Sequence, residues 1–459
     1  MTNPILNVDS YKASHYLQYP PGAEIVSSYV ESRGGEYTHS VFFGLQMFLK
    51  NYLSHPITAA DMAEAADVLA AHGLPFNQAG WRHILNAHGG HLPLEIEAVA
   101  EGTRMPVSNV LLQVRNTDPI VPWLTSYVET ALLRAVWYPT TIASRSYECR
   151  EIIRAALEDT ADSTDGLEFK LHDFGARGVS SRESAEAGGA AHLLSFMGTD
   201  TINGITALRR DYGADMPGFS IPAAEHSTIT CWGRDREGAA YANMLDQFAG
   251  PQKTVAVVSD SYDLFDAIER LWGGELRDRV INSGGTVVVR PDSGNPADIV
   301  CESIRRLMDR FGYRENSKGY LVLPDYIRVI QGDGISPAEI QRILAVMKIH
   351  RLSADNVAFG MGGELLQNVN RDTMQFAMKA SAIRVDGAWS DVYKDPVTDR
   401  GKRSKRGRLA LVKTDDGVET IRAEALGEQA NLLEPVFRDG ALLVDRGFAE
   451  IRDRLHDSS

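Results

Sequence analysis

The sequence predicts an α/β protein whose strands run parallel and are separated by helices. Three observations carry that prediction. From about residue 168, short β-branched or apolar runs recur, each followed by a glycine- and Asp-containing cluster and usually by a helical stretch. The clusters recur at the pitch of β–α units: with Phe174, His226, Asp260, Arg290, Asp333 and Gly362 as markers, the steps are 52, 34, 30, 43 and 29 residues. No sequence repeat accompanies the spacing, so the regularity belongs to an architecture rather than to a solenoid. A chain of 459 residues holds two or three domains of ordinary size, or one large α/β barrel with an added domain.

The elements follow in order. Residues 1–55 mix short apolar pieces with turns at Tyr19-Pro-Pro-Gly22 and Arg33-Gly-Gly35. A helix is predicted over 59–72, with Thr58 as its N-cap, alanines in its middle, and Gly73 then Pro75 as its stop. Residues 94–100 and 107–114 alternate enough to be strands. Residues 121–160 read as helical after Pro122, interrupted at Pro139. The later runs end in His172–Gly178, Pro222–Ser227, Ser259–Asp263, Arg290–Gly294, Gln331–Gly334 and Gly360–Gly363. All six clusters follow the C-terminal end of a predicted strand, where α/β barrels and open parallel sheets alike carry their sites. Beyond a very basic stretch at 394–408, short strands and a terminal helix are expected to pack back on the N-terminal part.

Composition removes several classes. Hydrophobic residues at 44% and charged residues at 24% exclude global disorder and collagen-like order. A net charge of −14 argues against a nucleic-acid partner. Three cysteines, Cys149, Cys231 and Cys301, cannot supply a disulfide framework or a four-cysteine zinc site, and suit a reducing compartment. No signal peptide, membrane span or lipidation box is read, so a soluble cytoplasmic enzyme is expected.

Absent motifs narrow the chemistry. There is no P-loop, no G-x-G-x-x-G after a first strand, no H-E-x-x-H and no cysteine pair with zinc spacing. What remains suits phosphates and a sugar. Gly332-Asp333-Gly334 and Gly360-Met361-Gly362-Gly363 can offer backbone N–H groups to phosphate oxygens. Arg177, Arg290 and Arg371 stand beside such clusters, where guanidinium forks match phosphate oxygens; surface ion pairs are the alternative. Asp260, Asp292 and Asp333 suit ribose hydroxyls or Mg²⁺, or they cap the following helices. His226, beside Glu225, is a candidate base or a nucleophile toward a phosphoryl group, or else a satisfied buried histidine.

At these clusters the sequence resembles the nicotinamide phosphoribosyltransferase family. The matching pieces are Asp9-Ser-Tyr-Lys12, His15-Tyr16, Gln18-Tyr-Pro-Pro21, Lys170-Leu-His-Asp-Phe-Gly175, Arg177-Gly-Val-Ser-Ser181 and Gly198-Thr-Asp200. They continue with Pro222-Ala-Ala-Glu-His-Ser-Thr-Ile229, Val258-Ser-Asp-Ser-Tyr-Asp263, Arg290-Pro-Asp-Ser-Gly-Asn-Pro296, Val329-Ile-Gln-Gly-Asp-Gly334 and Lys402-Arg-Ser-Lys405. Running in order from residue 9 past 405, they span nearly the whole chain. Met361, Glu364 and the lack of an insertion in the first fifty residues depart from the animal pattern and look bacterial.

The resemblance implies the fold of the type II phosphoribosyltransferases: an irregular α/β barrel over 166–389 and a mixed α+β domain built from 1–165 and 390–459. It implies a homodimer with active sites at the subunit interface, and transfer of phosphoribose from phosphoribosyl pyrophosphate to nicotinamide, with Mg²⁺ and ATP. Phe174 and Tyr11 of the partner subunit would sandwich the pyridine ring, with Asp9 nearby and Arg177 on the ring. Asp200 would accept the carboxamide N–H, a contact that like charge denies to nicotinate. Arg290, Asp292, Gly332 and Asp333 resemble ribose and pyrophosphate contacts; Gly362, Gly363, Arg371 and Lys379 resemble the 5′-phosphate site. Lys394 and Lys402 look like a loop approaching polyphosphate. His226, grouped with Asp260, matches a histidine that ATP phosphorylates. No residue is assigned as a direct metal ligand. The alternatives are a nicotinate phosphoribosyltransferase and a non-catalytic nucleotide-sensing protein.

Overall fold

The computed structural model describes residues 3–398, 403–415 and 417–457. The chain divides into two units: 1–144 with 208–214 and 370–459, and 145–207 with 215–369. The sequence reading divides the chain at 165 and 389 instead. The strand Phe376–Val385 pairs with Ala23–Ser32 along its whole length, and this backbone ladder is what joins 376–385 to the terminal segments.

In the first unit a seven-stranded sheet runs in the order Ala388–Asp391, Phe376–Val385, Ala23–Ser32, Val110–Asn116, Leu94–Ala98, Glu434–Arg438, Ala441–Leu442. All its pairings are antiparallel, and three adjacent strands from the N-terminal part are flanked on each side by two from the C-terminal part. The helix Ala59–Ala71 starts as predicted: Thr58 and Asp61 form a reciprocal capping box, and Gly73 follows with φ +88°. Pro139 does not interrupt the long helix Glu129–Thr160. Its ring lies where a side chain on Gly44 would sit, since a Cβ there would fall 2.3 Å from the proline Cγ.

The second unit holds a six-stranded, wholly parallel sheet: β1 (Leu171–Asp173), β2 (Gly198–Thr199), β3 (Thr254–Val258), β4 (Thr286–Arg290), β5 (Ile327–Gln331) and β6 (Val357–Met361). Their order is β2-β1-β6-β5-β4-β3. The segment 219–224 makes a parallel bridge from Phe219 to Gly198 of β2 and another from Ala223 to Ala256 of β3, so both sheet edges are tied through it. Ala256, Val288 and Ile330 form a small inner cluster with Phe174, Ile221 and Ala358 packed on it. Helices 182–192, 237–248, 296–311 and 337–349 connect the strands. The last two begin at Asn295-Pro296 and Ser336-Pro337, with the Asn and Ser side chains accepting amide N–H groups of the first turn. Among the described residues no helix is long and apolar enough to cross a membrane.

Within the first unit Glu101 is buried and accepts hydrogen bonds from the Gln46 amide and the Tyr212 hydroxyl, each 2.8 Å long. Burial pushes its pKa up to about 7, more than these bonds restore. Its proton is therefore held more tightly folded than unfolded. The stability this confers is full below its ordinary value of 4.5 and is lost as pH rises through about 7. Glu101→Gln is expected to remove this loss. Between pH 5 and pH 8 the variant should gain on the wild type by about 1–3 kcal/mol at the unfolding midpoint. Denaturation of both proteins at the two pH values checks it, and parallel pH profiles would refute it.

Candidate active site

The C-terminal ends of the six strands carry nearly all the predicted groups of the second unit. Phe174 follows β1. Its amide donates to the carbonyl of Met361 on β6 at 2.9 Å, and the preceding Asp173 side chain accepts the Gly175 amide at 2.7 Å. The chain around the ring is thus pinned on both sides. The ring lies across β6 and the turn after β5: a Cβ on Gly360 would fall 2.0 Å from Phe174 Cε2, and one on Gly332 3.3 Å from it. Gly332 is also next to Asp292, whose Oδ1 would lie 3.8 Å from that Cβ. Phe174, Gly332 and Asp292 therefore share one mouth.

Asp260 and Arg290 complete that side. Asp260, just past β3, is almost wholly shielded, at 5% side-chain exposure. Its Oδ1 meets His226 Nε2 at 2.9 Å; its Oδ2 accepts the Ser293 hydroxyl at 2.6 Å and the Asp292 amide at 3.2 Å. His226 Nδ1 stands 3.8 Å from Asp292 Oδ2, which Arg290 Nη2 approaches at 3.4 Å. Arg290 Nε is buried without a hydrogen-bond partner. The carboxylate engaged by His226 is Asp260, and the adjacent Glu225 accepts the Ser227 hydroxyl and caps the short helix His226–Thr230. Asp260 thus accepts three hydrogen bonds, while Asp333 is exposed.

Asp200 follows β2. Its amide donates to the Asp173 carbonyl at 2.9 Å and its carboxylate accepts the Ser220 hydroxyl. Burial raises the Asp173 pKa to about 6, opposed by its hydrogen bonds and reinforced by the charge of Asp200. Burial also lowers the pKa of His172, partly offset by Asp200. Arg177 is exposed in the turn Ala176–Gly178, with no ion pair among the described residues. That turn meets the glycine-rich one, because a Cβ on Gly178 would fall 2.8 Å from Gly363 Cα, and Gly362 lies close to the Phe174 carbonyl. The charge of Glu364 is compensated: buried Arg145 donates to the Glu364 carbonyl at 2.6 Å and its guanidinium lies 3.9 Å from the carboxylate.

The remaining predicted residues belong to the first unit. Asp9 precedes the short helix Ser10–Leu17 without a side-chain cap bond and accepts from Thr130 at 2.7 Å; Tyr11 is 58% exposed, with His15 edge-on at 5.1 Å. Arg371 pairs with Asp372 at 2.9 Å, and burial lowers the pKa of Lys379 on the strand Phe376–Val385. Lys394 is exposed, its amide on Ser404 Oγ at 2.8 Å. Lys405 is engaged by Glu31, and Arg408 by Glu424 at 3.0 Å, so much of the basic stretch is internally neutralised. Lys402 lies outside the described residues. Sequence reasoning missed Asp173, Ser220 and Ser293. Asp173 and Ser293 lie inside quoted motifs and Ser220 two residues before one, but a serine or aspartate in a turn carries no signal of its partner.

A model of the nicotinate phosphoribosyltransferase (NAPRTase) family matches residues 169–439, and one for the nicotinamide phosphoribosyltransferase N-terminal domain matches residues 3–96. A nicotinamide phosphoribosyltransferase of Xanthomonas campestris pv. campestris (strain 8004) is 53% identical over 460 residues, covering 98% of each chain. This chain belongs to the nicotinamide phosphoribosyltransferase family. A second member, from Acinetobacter baylyi, is 30% identical over 99% of this chain and 97% of its own. The fold is shared more widely. The crystal structure of nicotinate-nucleotide pyrophosphorylase from Pyrococcus furiosus superposes with a TM-score of 0.62 at 15% identity, covering 99% of this chain and 95% of that one. Human nicotinic acid phosphoribosyltransferase gives 0.55 at 17%, covering 98% and 93%. The type II phosphoribosyltransferase architecture, a parallel barrel-like sheet with a separate antiparallel domain, is thus that of this family member.

Gly360→Ala tests the seat of Phe174. The added methyl has no room unless the ring or strand moves, so a loss of about 1–3 kcal/mol is expected, with displacement of the ring. Thermal unfolding and a structure of the variant check it; an unshifted ring with wild-type stability would refute it.

Proposed function

We propose that this chain transfers the 5-phosphoribosyl group from phosphoribosyl pyrophosphate to nicotinamide, yielding nicotinamide mononucleotide and pyrophosphate in NAD salvage. The observation that carries the reading is the shared mouth: an aromatic face, Phe174, beside the Arg290–Asp292 pair, with Asp200 held at the end of the neighbouring strand. A flat heterocycle stacks on Phe174, with Arg177 at the ring and Tyr11 of the partner subunit, in a homodimer, on its other face. Asp200 accepts the carboxamide N–H and disfavours a carboxylate in its place.

The ring nitrogen bonds to ribose C1 as the C1–oxygen bond to pyrophosphate breaks. That nitrogen carries no proton, so the step needs no general base. Catalysis then consists of positioning, exclusion of water and stabilisation of the leaving charge. Arg290 faces that charge, Asp292 and Asp333 face the ribose hydroxyls, and Gly362 and Gly363 take the 5′-phosphate. The carboxylate oxygens of Asp292 and Asp333 suit Mg²⁺ held through water, and the cation arrives with the polyphosphate substrates.

His226 has a separate task. With Nε2–H donated to Asp260, Nδ1 keeps its lone pair and is the nucleophile toward the γ-phosphorus of ATP. The new N–P bond replaces the bond to ADP, and hydrolysis of this phosphohistidine drives the transfer. Lys394 and Lys402 serve the polyphosphate. Free Cys149, Cys231 and Cys301 suit work in a reducing cytoplasm.

Purified protein with both substrates and Mg²⁺ is expected to make nicotinamide mononucleotide and to prefer nicotinamide over nicotinate. Arg290→Ala should lower kcat/KM by about 10²–10³ in that assay. Wild-type turnover in the variant, or preference for nicotinate, would overturn the reading. His226→Ala should abolish the stimulation of synthesis by ATP; full stimulation in that variant would remove the phosphohistidine.

A further inference from the structure

Outside the barrel mouth, one cluster brings metal-ligating side chains together among the described residues. His83 Nε2 and His88 Nε2 each lie 2.7 Å from the same oxygen, Asp118 Oδ2. We propose that His83, His88 and Asp118 bind a divalent transition-metal cation of the zinc class, which clamps a helix to a strand end.

The backbone builds this meeting. His83 projects from the helix Gln78–Ala87, and His88 is its C-cap, off helical geometry at φ −117°, ψ 10°. That departure brings two histidines five positions apart to one point, which a continuous helix does not do. Asp118 follows the strand Val110–Asn116. Buried Asn116 grips the Asp118 carbonyl at 2.8 Å, and the Ile120 amide occupies Asp118 Oδ1 at 2.8 Å, leaving Oδ2 for the imidazoles.

Two imidazoles and a carboxylate form a donor set that selects zinc-like ions over Mg²⁺. The side chains are 26%, 25% and 14% exposed, which leaves solvent access and room for a water as fourth ligand. The present 2.7 Å separations are those of hydrogen bonds. Around a tetrahedral ion with bonds of about 2.0–2.1 Å the ligand atoms stand roughly 3.3 Å apart, so small rotations of half-exposed side chains suffice. The imidazole protons then reside on Nδ1, freeing both Nε2 lone pairs for the ion. The gain is structural: the ion adds a further tie between elements about thirty residues apart that core packing and these hydrogen bonds already connect.

The full-length protein, stripped with a chelator and kept in excess Mg²⁺, is titrated with Co²⁺ and followed by visible absorption. One equivalent is expected to give the intense spectrum of a low-coordinate site, to be displaced by Zn²⁺, and to raise the unfolding midpoint. His83→Gln and His88→Gln should each weaken this binding about tenfold or more. No such spectrum in the wild type, or an unchanged one in both variants, overturns the proposal. A readout independent of variants is modification of the wild-type protein by diethyl pyrocarbonate, mapped by peptide mass. Zn²⁺ should protect His83 and His88, and equal modification with and without Zn²⁺ overturns it as well.

Discussion

Asp260 is the constraint on which the barrel mouth depends. One carboxylate, nearly shielded from water, accepts from His226, from Ser293 and from the Asp292 amide. Those groups come from the loop before β3 and the turn after β4, so a single charge fixes the histidine tautomer and the path of the loop carrying Asp292. A buried carboxylate tolerates this position only because it is so fully hydrogen-bonded. Its role is to position others. Asp292 and Asp333 remain the carboxylates with oxygens to spare.

Glycine has the complementary part. Phe174 lies flat across the strand ends because Gly360 and Gly332 present bare backbone beneath it. Gly178 and Gly363 likewise bring two turns into backbone contact. The aromatic platform and the glycine-rich side of the mouth are therefore shaped by missing side chains as much as by present ones. Glu364, next to the glycine turn, is compensated by buried Arg145.

Much of the architecture was legible in the chain. The βα pitch, the capping box at Thr58 and the strands around 94–100 and 107–114 were all readable because they follow local periodicity and capping chemistry. Pro139 misled, since its local rule is to break a helix, yet the helix continues through it with its ring packed against Gly44. The domain boundary near 370, which the sequence reading set at 389, was equally hidden. The strand Phe376–Val385 looks like any other apolar run, and its partner Ala23–Ser32 is about 350 residues away.

By itself the sequence determined most of the side chains that stand at strand ends: Phe174, Asp260, Arg290, Asp333 and the glycine turns; the two-residue strand before Asp200 was not read, and His226 follows isolated bridges rather than the strand expected there. Hydrophobic runs and turn residues mark those positions locally. Only the tertiary structure decided who meets whom. That His226 turns to Asp260 rather than to adjacent Glu225, and that His83 and His88 converge on Asp118, depends on backbone paths set by packing between distant segments. No neighbour-to-neighbour rule encodes such pairings, because side-chain partners are chosen by distance in space.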